Sequence, residues 1–82
     1  LTVEARRGLW RVFVSSGSAH QTPAWADSDF LDQVAEHQLN GRQIKNIVRV
    51  AFALANDKNR EMLPADILSV LRVSTSVENS QR

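Results

Sequence analysis

Apolar residues recur at intervals of three and four along much of this chain, most regularly over 39–55. There Ile44, Ile47, Val48, Ala51, Phe52 and Ala55 fall on one side of a 3.6-residue helix. The stripe predicts a central helix against which the other elements pack. Its start is equally legible. Asn40 is placed to accept a hydrogen bond from a first-turn N–H, and Gln43 follows three residues later, where its side chain can reach back to complete a capping box.

The same periodicity predicts three further helices. The first spans 2–15, with Thr2 as N-cap, Glu4 in the first turn, Val3, Arg6, Trp10 and Phe13 near one face and Leu9 beside it. Arg7 and Arg11 form an i,i+4 cationic pair expected to face water or a neighbouring domain. Gly8 costs about 1 kcal/mol relative to alanine in an exposed helix. Truncating a buried Trp10 or Phe13 would cost about 3 to 5 kcal/mol, so packing decides in favour of the helix. Ser15-Ser16-Gly17-Ser18 stops it, and a connector through His20 and Pro23 leads to Trp25, expected either to fold back over the core or to meet a partner.

The second helix is expected over about 29–38, with Asp27, Ser28 or Asp29 as cap, Phe30, Leu31, Val34 and Ala35 inward, and Asp32 and Glu36 outward. Leu39 then joins it to the central helix with almost no linker, which forces a steep crossing. The polar run 57–60 closes the central helix. Pro64 suits the first position of a fourth helix, Glu61 and Asp66 complement its dipole, and Ile67, Leu68, Leu71 and Val70 supply its apolar face. From Val73 onward Ser, Thr, Glu, Asn and Gln dominate. The pattern therefore predicts an all-α, four-helix domain over 1–75 and a flexible tail over 76–82.

Composition narrows the chemistry. With 82 residues and 43% hydrophobic content there is material for one modest core. A formal charge of +1 creates no global basic field, the absence of Cys excludes disulfides and thiolate zinc, and no apolar run reaches the 18 or so residues of a membrane span. A soluble intracellular piece without membrane contact is expected. The opening at Leu1, directly in a structured segment, suggests a piece of a longer protein. His20 and His37 lack companions for a zinc set, and Asp27, Asp29 and Asp32 are better placed as caps and dipole partners than as metal ligands. There is no glycine-rich phosphate loop and no Ser-His-Asp or Cys-His arrangement, so independent catalysis is not expected.

Arg42 and Lys45 stand out because a helix start favours anions, and a cation there forgoes or opposes about 0.3 to 1 kcal/mol. They are either solvated surface residues or part of a phosphate-binding arrangement with the free N–H groups of the first turn. Two other readings compete. Trp25 and the Arg7/Arg11 face could serve a helical protein-interaction module, or Arg42, Lys45 and Arg49 could contact nucleic-acid phosphates while Gln43 or Asn46 reads bases.

Leu39-Asn40-Gly41-Arg42-Gln43-Ile44-Lys45-Asn46 resembles a block of the C-terminal helical lid subdomain of AAA+ ATPases, especially fungal-like members. Arg7, Trp10 and Phe13 keep parts of the spacing of a first lid helix, although Gly8 is unusual there. Phe30-Leu31-Asp32-Gln33-Val34-Ala35 is similar to the second lid helix, and Leu63-Pro64-Ala65-Asp66-Ile67-Leu68 occupies the place of the last. The resemblance covers about residues 3 to 73. It implies that Arg42 is the sensor-2 arginine directed at the γ-phosphate, and that Gly41 permits close backbone approach to the nucleotide. ATP and Mg2+ are then the cofactors of the intact protein, with the preceding α/β ATPase subdomain and neighbouring subunits of a ring as partners.

Overall fold

A computed structural model describes residues 1–17 and 21–80, with side-chain surroundings through 75. His20 and the last two residues of the expected tail lie outside the described residues. The domain is all-α, with four helices: α1 Val3–Ser16, α2 Ser28–Ala35, α3 Gly41–Asp57 and α4 Pro64–Ser80. α1 packs on both α2 and α3, and α3 packs on both α1 and α4. α1 and α3 run in the same sense. A Cβ placed on Gly41 would lie 3.6 Å from Leu9 Cδ1, while one on Gly17 would lie 3.7 Å from Phe52 Cδ1.

Ile44, Ile47, Val48, Ala51 and Ala55 of α3 are buried, as their spacing predicts, and meet Trp10 and Val14 of α1 and Ile67 and Leu71 of α4. Phe52 is a correction: it is 45% exposed, because it lies at the edge of the stripe beside Gly17, where α1 ends. Val3 is also exposed, and the buried row of α1 is Arg6, Trp10 and Val14. Trp10 is fully enclosed, yet its indole Nε1 has no hydrogen-bond partner among the described residues, a deficit worth about 1 to 3 kcal/mol that its packing must outweigh.

Trp25 folds back to meet Phe30 edge to face, with ring centroids 5.2 Å apart and an interplanar angle of 84°. α2 begins where Asp27 accepts from the Phe30 N–H at 3.0 Å. It ends earlier than its pattern suggests, because the Ala35 carbonyl accepts from Arg6 Nε at 2.8 Å instead of continuing the helix, and Leu39 then turns into the core. Arg7 is a second correction. Its side chain is half-buried where that of Arg11 is exposed, and it donates to Asp32 Oδ1 at 2.8 Å and to Ser28 Oγ at 3.1 Å, tying α1 to α2. The side chain of Asp32 is 67% exposed, so this pair sets register more than it adds stability.

The α3–α4 turn is built from backbone outward. Asn59 adopts a left-handed φ of 56°, the Arg60 N–H donates to Ala55 O at 3.1 Å and the Asn59 N–H to Asn56 O at 3.0 Å, which together close α3 with a Schellman motif. Arg60 then donates from Nη1 and Nη2 to the two carboxylate oxygens of Asp66 at 2.7 and 2.8 Å, and the Leu63 N–H donates to Asp66 Oδ2 at 2.8 Å. α4 continues to Ser80, beyond the apolar pattern that ends near Leu71, with Thr75 Oγ1 donating back to Leu71 O at 3.1 Å. Among the described residues no helix is long and apolar enough to cross a membrane.

Gly8 sits on an exposed helical position with nothing within 4 Å of where a Cβ would stand, so Gly8→Ala raises the unfolding free energy by about 1 kcal/mol in urea titrations. The Arg60 hydrogen bonds hold the Asp66 carboxyl down from 3.8 to about 2. Its contribution is complete above pH 3.8 and is lost as the pH falls towards 2, so Asp66→Asn flattens the acid limb of a stability–pH profile in that window.

Candidate functional site

The entry of α3 is organised by the two side chains that close its first turn. Asn40 has extended backbone angles, φ −90° and ψ 173°, and its Oδ1 accepts from the Gln43 N–H at 2.8 Å. Gln43 Oε1 accepts from the Asn40 N–H at 2.9 Å, so the expected capping box is complete. The Ile44 N–H donates to Asn40 O at 3.1 Å and begins the helical ladder. The N–H groups of Gly41 and Arg42 lie ahead of that ladder, in the turn where the backbone dipole favours an anion.

Arg42 projects from this turn as an exposed side chain, and among the described residues its guanidinium makes no hydrogen bond or ion pair. The first turn of α3 carries no acidic residue to offset it. Lys45 and Arg49 are exposed as well, and their i+3 and i+7 spacing from Arg42 places all three cations along the outer side of α3. The inner side of the same helix is anchored by Ile44, Ile47 and Val48. A cation with five donors is thus carried on a long side chain from a capped, well-anchored element.

Gly41 is half-buried, its φ is not positive, and a Cβ would stand at ordinary contact distance from Leu9, 3.6 Å. Neither the backbone conformation nor α1 demands glycine here. Arg42 lines neither of two open clefts on the surface. One lies at the far end of α3 beside Trp25, Phe52 and Met62, and the other runs between α3 and α4 beside Val50 and Val73. Asp27 and Asp32 have structural partners, Phe30 N–H and Arg7 respectively.

The surface that an interaction module would use is partly taken up inside the fold, because Arg7 pairs with Asp32 and Trp25 packs on Phe30. Arg6 is a residue whose task spacing alone does not disclose. The residue is 7% exposed, and its guanidinium donates to Ala35 O and, from Nη1, to Leu1 O at 2.7 Å. The available signal is its position one turn before Trp10 in the buried row of α1.

Capping and charge separate cleanly here. Asn40→Ala removes the acceptor for Gln43 N–H and lowers stability by about 1 kcal/mol in chemical denaturation. Arg42→Ala, in contrast, changes stability by less than about 0.5 kcal/mol, since it removes an exposed cation from a helix start. Set against family models, curated proteins and solved structures, the chain has no match.

Proposed function

We propose that this chain is the helical lid of a AAA+ ATPase and that Arg42 is its sensor for nucleotide. The observation that carries the reading is an exposed guanidinium without an internal partner at a helix start locked by a complete capping box. Isolated from its context this is an uncompensated cation against the dipole; beside a triphosphate it becomes a matched pair. The wider resemblance, over Trp10, the 39–46 block and the helix opening at Pro64, supports the same assignment.

In this function the preceding α/β subdomain holds most of ATP and its Mg2+, and the metal supplies charge neutralisation at the phosphates. Arg42 binds phosphate oxygens through directed, charge-assisted hydrogen bonds, and Gly41, with no side chain, leaves the backbone of the first turn open to close approach. Because α3 packs on both α1 and α4, a pull on Arg42 is passed to the whole helical unit rather than to one loop. Neighbouring subunits of a ring would receive that displacement.

The test is ATP turnover by the full-length protein. Arg42→Ala is expected to lower kcat on the order of 10- to 100-fold, equivalent to about 1.4 to 2.7 kcal/mol of transition-state stabilisation. Arg42→Lys remains impaired, because a point ammonium does not reproduce the planar fork. Unchanged turnover at saturating ATP sinks the assignment.

A further inference from the structure

Arg6 joins parts of the chain that are far apart in sequence. Its Nε donates to Ala35 O at 2.8 Å and its Nη1 to Leu1 O at 2.7 Å, while the residue as a whole is almost fully buried. Ala35 closes α2, and the carbonyl end of a helix favours a cation. Leu1 O belongs to the backbone entering α1. One turn further along α1, Leu9 lies against the position of a Gly41 Cβ, at 3.6 Å.

α1 therefore brackets the α2–α3 join: Arg6 donates to Ala35 O, and Leu9 faces Gly41, its Cδ1 3.6 Å from where a Cβ would stand; Arg42 is the next residue. Leu39, between those two points, is buried in the core. Arg6 has no carboxylate partner among the described residues. A buried cation held by two carbonyls rather than by a counter-charge depends on both being in place, since moving either one leaves a buried N–H unmatched.

We infer that Arg6 is a positioning residue, setting the bearing of Arg42 relative to the backbone that enters α1. This rests on the lid reading, in which that backbone arrives from the nucleotide-binding subdomain. A shift of the entering strand of chain is then transmitted through one guanidinium to the α2–α3 join and on to the sensor. The coupling needs no movement within the apolar core.

The experiment is a double-mutant cycle on ATP turnover by the full-length protein, using Arg6→Lys, Arg6→Met, Arg42→Ala and the paired variants, with kcat and KM determined separately and thermal unfolding run in parallel. Lysine keeps the charge but replaces two divergent N–H directions with a point ammonium. Arg6→Lys is expected to lower kcat about 5- to 10-fold with KM within about 2-fold, the pattern of an interaction felt in the transition state. In the Arg42→Ala background the same change should add less than about 2-fold, because aiming an arginine has no effect once it is gone. Losses that multiply, or an undiminished kcat in folded Arg6→Lys, overturn this inference and leave the lid reading standing. A kcat insensitive to Arg42→Ala overturns both. Should the Arg6 variants not fold, Leu9→Ala loosens the other end of the bracket and carries the same cycle, with the same outcomes deciding it.

Discussion

The apolar stripe of α3 is shared between two neighbours, and the remainder of the architecture follows from that sharing. α1 covers one side of the stripe and α4 the other, so Ile44, Ile47, Val48, Ala51 and Ala55 serve two packing seams at once. Full burial of a large aliphatic side chain contributes about 1.5 to 3 kcal/mol, which makes this helix the main source of cohesion in a chain with one small core. α2 stands outside that arrangement. It packs on α1, and polar ties from Arg6 and Arg7 supplement its apolar contacts through Phe30, Leu31 and Val34.

What could be read from sequence was what depends on neighbours within one or two turns. The capping box of Asn40 and Gln43, a cap for α2 among Asp27, Ser28 and Asp29, and the buried row of α3 all belong to that class; the structure has all of them, with Asp27 as the cap. Phe52 belongs to the same apolar pattern, but its burial depends on how far α1 extends alongside it, and α1 stops at Ser16. The early end of α2 depends on Arg6, and the fate of Arg7 depends on Asp32; both partners are distant in sequence and invisible to an i,i+4 rule. For the candidate site, the place of Arg42 on a capped helix start was legible. What it meets was not, because a bound group would be completed by atoms beyond its own turn.

The arginines of this domain make a useful contrast. Arg6 donates to the last carbonyl of α2, and Arg60, just past the end of α3, locks onto Asp66. Both lie where helix dipoles or carboxylates favour a cation, and both organise a join between helices. Arg7 finds Asp32 across the α1–α2 seam. Arg42 is placed in the opposite sense, at the positive end of a dipole with no acid in the turn and no partner among the described residues. Structural use accounts for the first three, and it does not account for the fourth.

Rigidity around an uncompensated charge is the physical link between fold and proposed function. A long cationic side chain ordinarily loses rotamer entropy when it grips a ligand, and a loosely attached helix start would add backbone entropy to that loss. The capping box, the buried anchors of α3 and the α1 bracket settle the backbone part in advance, leaving only the side chain to be ordered. The same arrangement makes the contact mechanically informative. Under the proposed function, a guanidinium that followed a phosphate would draw the capped turn with it, and the stripe that α3 shares with α1 and α4 would carry the displacement to both.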